Sequence, residues 1–178
     1  MTDPAVMWRK ELNKLVKVRS EYVVQYMDSW FENNEYFIAM ELCSDNLKNI
    51  LRLKRQVFAN KSEEAMNCVE YYISCHIFRE LLECVKYLHE LYPPVIHRDL
   101  KPDNILLARK VRNGRYFKIG DFGLATVTTT HTSSAGNVKY RAPEVDRGEG
   151  YDHKFDIFSL SVNGFEIFEC ELYSNNEM

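Results

Sequence analysis

The chain has no run of about eighteen apolar residues, so nothing in it reads as a membrane-spanning helix. Its N-terminus lacks a basic segment followed by an apolar one, and no secretory signal is expected. The five cysteines, Cys43, Cys68, Cys75, Cys84 and Cys170, are odd in number and lack close CxxC spacing, which argues against a disulfide framework or a zinc site. They suit a reducing compartment, the cytoplasm first and the nucleus second. A net charge of -3 supplies no basic excess, so neither nucleic acid nor an anionic membrane is an expected partner. Nothing before position 99 reads as a glycine-rich phosphate loop.

What is present is ordinary for a globular protein: 178 residues, 46% hydrophobic and 28% charged. A single domain of that length buries roughly 70% of its unfolded surface. Val6, Leu12, Leu15 and Val16, interspersed with basic residues, predict an amphipathic helix over 6–17. Aromatic and β-branched residues predict strands over 22–30 and 36–42, joined by Glu32-Asn33-Asn34-Glu35. A short helix is expected over 46–55, a vague polar connection over 58–68, and a long helix over 69–91. Along that helix Ile73, Ile77, Leu81, Val85 and Leu88 form one stripe, and Pro93-Pro94 stops it. Short strands over 104–107 and 117–119 are expected around a basic turn, 108–116, and helical spacing returns over 152–173.

Three motifs follow one another: His97-Arg98-Asp99-Leu100-Lys101-Pro102-Asp103-Asn104, then Asp121-Phe122-Gly123, then Ala142-Pro143-Glu144. Taken singly, Asp99 and Asp121 also read as loop carboxylates that cap turns. In series they resemble the catalytic loop, magnesium motif and activation-segment anchor of the eukaryotic protein kinases, serine/threonine type.

The resemblance implies an α+β, bilobal kinase-like fold. The N-lobe is expected to be incomplete, with 1–42 as its remnant, and 43–178 to hold the hinge and a helical C-lobe cut short near helix αF. Neither a strand lysine nor the final helices are recognisable, so impaired turnover is an expectation. The implied cofactors are ATP and Mg2+, and the implied partners a protein substrate and a regulatory protein.

By the same resemblance Asp99 is the base for the acceptor hydroxyl, Lys101 steadies the γ-phosphate, and Asn104 and Asp121 hold the metal. Lys101, two residues after Asp99, favours serine or threonine over tyrosine. Met40 takes the gatekeeper position, Glu41 and Cys43 offer main-chain groups to adenine, and Leu106 is the floor under the purine. Without that frame the same segment reads as a buried hairpin strand.

Glu11 takes the place of the αC glutamate, though alone it also reads as a solvated helix residue. Leu15, Tyr26, His97 and Phe122 would stack as a hydrophobic spine. Arg98 would face a phosphate within the cluster Thr128 to Ser134, which otherwise is a flexible polar loop. Asn137 stands where a threonine is usual. Asp156 matches the αF aspartate that braces the catalytic loop, and Ser161, in place of glycine, would loosen that brace. Asp28-Ser29-Trp30 and Met40-Glu41-Leu42-Cys43 are similar to the initiation-factor-2 kinase branch.

Two alternatives stay open. One is a pseudokinase-like fragment that acts as a protein-binding module. The other is a small-molecule phosphotransferase, which Lys101-Pro102 and Ala142-Pro143-Glu144 disfavour.

Overall fold

A computed structural model describes residues 20–33, 35–58, 66–126, 136–146 and 152–170. The helix expected over 6–17, with Glu11 and Leu15, and the Thr128 to Ser134 cluster lie outside the described residues.

Strands β1 (Tyr26–Glu32) and β2 (Glu35–Met40) form an antiparallel hairpin. The first strand starts later than its composition suggests, because residues 22–24 pair elsewhere. Val24 N–H donates to Ile119 O at 2.9 Å, and Ile119 N–H returns to Tyr22 O at 2.9 Å. This parallel bridge fastens the hairpin to a second sheet, whose order is β3 (Cys43–Asn46), β4 (Ile105–Arg112) and β5 (Arg115–Ile119).

Strand β3 is an addition to the expected elements. The basic segment expected to be a turn over 108–116 is mostly ladder, and only Asn113 and Gly114 reverse the chain. Their φ values of 52° and 72° are the left-handed pair that an Asn-Gly hairpin turn adopts.

Helix α1 (Leu47–Phe58) runs one turn past its expected end and buries Leu47, Leu51 and Lys54 along one face. Helix α2 (Cys68–His89) opens on Asn67, whose side-chain oxygen accepts from the N–H groups of Val69 and Glu70, both at 3.0 Å. That cap satisfies two of the helix's otherwise unpaired donors. Its buried face carries Ile77, Leu81, Cys84, Val85 and Leu88 at helical spacing. Ile73, expected on that stripe, is 36% exposed, and Ser74 is the buried residue of its turn.

A 3₁₀ turn (Val138–Tyr140), the short α3 (Pro143–Asp146) and α4 (Lys154–Ile167) complete the described chain. Helix α4 begins later than expected and ends at Ile167, where Phe168 N–H closes on Gly164 O and Glu169 turns left-handed at φ 53°.

The core lies where α1, α2 and α4 meet the second sheet, built by Leu47, Leu51, Leu81, Leu88, Ile105, Ile119, Leu160 and Ile167. Each such side chain contributes about 1.5–3 kcal/mol on burial. An ion pair is sunk among the helices: Lys54 Nζ bonds Ile167 O at 2.9 Å and Ser74 Oγ at 3.2 Å and pairs with Glu70 Oε1 at 3.1 Å. A buried ammonium persists only with such complete pairing. Among the described residues no helix is long and apolar enough to cross a membrane.

Candidate active site

The β4–β5 ladder assembles the site. Ile105 pairs with Ile119, so Asn104 and Gly120 face each other just beyond the paired ends, and Gly120 N–H donates to Asn104 O at 2.9 Å. Asp121 is therefore delivered to the same end of the hairpin as Asn104, although 17 positions separate them in the sequence. Gly120 lets the chain pass close to two apolar side chains here: a Cβ would sit 2.9 Å from Leu106 Cδ1 and 3.2 Å from Val24 Cγ2.

Asp99 is buried, and both its oxygens are addressed. Its Oδ2 accepts from Lys101 Nζ at 2.7 Å and Asn104 Nδ2 at 2.9 Å, while Oδ1 accepts a longer bond, 3.2 Å, from Asn137 N–H. Asn104 Nδ2 also bonds Asp99 O at 2.9 Å. With its NH2 group held this way, the amide oxygen of Asn104 is the atom left to meet a cation. The Asp99 carboxylate, reinforced by Asp121 and Asp103, raises Lys101 above the usual lysine range. Asp121 is exposed, sits at φ 56°, and forms no ion pair among the described residues; its Oδ1 accepts only a 3.4 Å bond from Gly123 N–H.

The Asn137 side chain does something other than bridge Asp99 and Lys101. Its oxygen caps the 3₁₀ turn by accepting from Lys139 N–H at 3.0 Å, and the backbone reaches Asp99 instead. Gly136 makes this approach possible, with φ 82° and space for no side chain: a Cβ would lie 2.3 Å from Arg98 O.

Asp156 holds the loop from beneath. Fully buried, it accepts His97 N–H on Oδ2 and Arg98 N–H on Oδ1, each at 2.9 Å, and His89 Nε2 meets Oδ2 at 2.9 Å. Ser161 turns away from this brace: its side chain is exposed and its hydroxyl donates to Phe158 O at 2.7 Å. Arg98 is kept at φ 69°, with its Nε donating to Leu124 O.

His97 packs edge-on against Phe122, ring centroids 4.9 Å apart, so two of the four expected spine residues meet. Its Nε2 faces Gly120 O at 2.9 Å and its Nδ1 faces Asp99 N–H at 3.3 Å. A carbonyl only accepts and an N–H only donates, so the ring is the neutral Nε2–H tautomer. Burial lowers its pKa in the same direction. Tyr26 instead bonds Ser29 Oγ at 2.7 Å.

The expected hinge is arranged less simply. Met40, placed at the gatekeeper position by resemblance, ends β2 with 49% of its surface exposed. Glu41 N–H donates to Gln25 O at 2.8 Å, so its carbonyl is the main-chain group left to offer. The Glu41 carboxylate takes Gln25 N–H at 3.0 Å and pairs with buried Lys118, which lies opposite Leu106 in the ladder. Cys43 joins β3 opposite Ala108, and burial raises its thiol pKa. Leu106 is half-buried over Gly120, next to Asp121.

Several supporting groups escaped the sequence reading. Lys118, His89 and Asn163, whose Nδ2 bonds Leu100 O at 3.2 Å, all act across long sequence separations. Only His89 carried a signal, a polar residue at the foot of an apolar helix stripe.

The protein kinase domain family model matches residues 3–178. The serine/threonine-protein kinase cst-1 of Caenorhabditis briggsae is 33% identical over 165 residues, covering 90% of this chain and 30% of that protein. The serine/threonine-protein kinase pakA of Dictyostelium discoideum is 34% identical over 166 residues, 90% of this chain and 12% of its own length. Mitogen-activated protein kinase kinase kinase 7 of Bos taurus is 42% identical over 102 residues, 54% of this chain and 17% of its own. The chain thus spans under a third of these relatives. With a buried aspartate, a lysine and an asparagine gathered at one hairpin end, and a match along nearly its whole length, the chain belongs to the protein kinase domain family.

Proposed function

We propose that this site transfers the γ-phosphoryl group of ATP to serine or threonine hydroxyls of protein substrates. The observation that carries the reading is the Asp99 carboxylate, anchored on Oδ2 by Lys101 and Asn104 while Oδ1 has a single weak donor. Oδ1 thus keeps a lone pair for the proton of the incoming hydroxyl. As the acceptor oxygen bonds to phosphorus, the bond from phosphorus to the β,γ-bridging oxygen breaks; the proton goes to Asp99 and ADP departs. Lys101 stays charged throughout and lies where it can offset phosphate charge.

The donor chemistry suits magnesium. Asn104 and Asp121 supply hard oxygen ligands, and nucleotide phosphates and water make up the remainder in such sites. Among the described residues no cluster of three His, Cys, Asp or Glu competes for a metal. When bound, the ion would neutralise charge on the phosphate oxygens. Glu41 O, Cys43 and Leu106 are the groups proposed to receive adenine, with Met40 beside them, and 1–42 and 43–178 the portions of the two lobes.

The finer placement near the initiation-factor-2 kinases rests on the wording of residues 28–30 and 40–43 alone. The relatives named above add nothing to it.

Asp99→Asn in the full-length protein is the test. A general base contributes typically 10²–10⁴ in rate, so kcat should fall by about that factor while Mg-ATP affinity holds. Equal turnover in the variant would overturn the assignment. A wild-type protein that binds partners but transfers no phosphate would instead be the binding-module alternative.

A further inference from the structure

Beside the catalytic loop lies a groove of about 470 Å³ between α1, the 3₁₀ turn and the end of α4. It adjoins the reacting centre by construction. Pro102 and Asp103 in its wall follow Asp99 by three and four positions, and Asn137, whose N–H reaches Asp99, lines it too. Lys48 N–H donates to Pro102 O at 3.2 Å, which binds the start of α1 to this wall. A peptide whose hydroxyl reaches Asp99 therefore lays neighbouring residues in the groove.

Its charge is uneven. Lys48, Arg52, Arg55 and Lys139 line it against only two carboxylates, Asp103 and Glu166. Those carboxylates are already answered by the chain itself. Lys48 Nζ bonds Asp103 Oδ1 at 2.9 Å; Glu166 Oε1 takes both Lys139 Nζ and the Tyr140 hydroxyl, the latter at 2.7 Å. Arg55 leans towards Glu169 at 3.8 Å. Arg52 is exposed on α1 and has no ion pair among the described residues. Nearby Asp45 is held mainly by Asn49 Nδ2 at 2.7 Å and Asn46 N–H at 2.8 Å, with Arg52 adding a weaker attraction at longer range. A basic peptide would have to displace lysines from both acids, whereas an acidic side chain meets an arginine that no carboxylate among the described residues holds in a contact ion pair.

We propose that the groove selects acceptor peptides with Asp or Glu flanking the phosphorylated serine or threonine, and that Arg52 is the specificity-determining residue. The inference rests on the kinase reading above and adds the substrate class.

The experiment uses full-length protein and matched peptides that carry Glu, Gln or Arg at positions flanking one serine. Phosphorylation rates and, separately, binding by fluorescence anisotropy are measured. The Glu peptide should surpass the Arg peptide by about 1.4- to fivefold per charge contact, the range for exposed pairs. The advantage should shrink in high salt. Arg52→Gln should reduce it and Arg52→Glu reverse it, with turnover of the Gln peptide retained. Equal or better use of the Arg peptide by the wild type, or an unchanged ratio in Arg52→Glu, would overturn the proposal. If no peptide is phosphorylated, the kinase reading fails by itself. The anisotropy arm still decides the groove, since a preference for Glu lost in Arg52→Glu supports it and no preference refutes it.

Discussion

Removing the Asp156 carboxylate is expected to unsettle the catalytic loop more than any comparably conservative change. The Asp156→Ala protein would leave the buried His97 N–H and the part-buried Arg98 N–H without this acceptor, and would strip His89 of its partner. A buried donor stranded this way costs about 1–3 kcal/mol. Two of them give a loss of about 2–6 kcal/mol, to which His89 adds a smaller share, a large part of the 5–15 kcal/mol typical of a domain. There is a second effect. Arg98 sits at φ 69°, a conformation that costs a non-glycine residue of order 1–3 kcal/mol and persists only while its surroundings enforce it. Once Asp156 lets go, the peptide should relax and swing Asp99 away from Lys101 and Asn104. Asp156→Asn retains one acceptor but turns an NH2 group towards an N–H donor, so its penalty should be intermediate, about 1–3 kcal/mol. Urea denaturation followed by circular dichroism measures the stability, and peptide phosphorylation the alignment. If Asp156→Ala unfolds within 1 kcal/mol of wild type and keeps its rate, the bracing argument is refuted.

The remaining expectations are simpler. His97 is buried as its neutral tautomer with a lowered pKa, so the unfolded chain binds the extra proton as pH falls through about 6.5 and towards the lower folded value. Stability should therefore be fully present above that window and lost below it; a melting temperature indifferent to pH between about 7 and 5 would contradict the assignment. Two glycines separate strain from collision. Gly114→Ala meets open space and only an unfavourable φ, so a loss of about 1 kcal/mol with unchanged turnover is expected. Gly136→Ala would press a Cβ to 2.3 Å from Arg98 O and should cost much of the activity; equal behaviour of the two variants in denaturation and kinetic assays would count against this.

Much of the site was legible because its residues are contiguous or lie in short motifs, and a motif survives translation into three dimensions. Helix α2 was legible for a related reason: Ile77, Leu81, Val85 and Leu88 repeat with the period of the helix that buries them. What escaped was set by pairing at a distance. Lys54 looks like a surface residue of a polar helix, and only Glu70, Ser74 and the end of α4 make its burial tolerable. Strand β3 has four residues of unremarkable composition and exists because β4 offers it a ladder. The Asn113-Gly114 turn was marked in the sequence but hidden by the basic residues around it. Met40 was given the gatekeeper position on the strength of resemblance alone, and no local pattern sets its exposure.

The hairpin that carries Asn104 and Asp121 at one extremity has its reversal at the other, and a Cβ at Gly114 would touch nothing. Such an arrangement insulates the working end from changes in length. A fluorophore or a short epitope grafted between residues 113 and 114 should ride on the outside of the molecule while Asn104 and Asp121 keep their spacing. The tip is thus a ready handle for labelling the protein without touching Asn104 or Asp121.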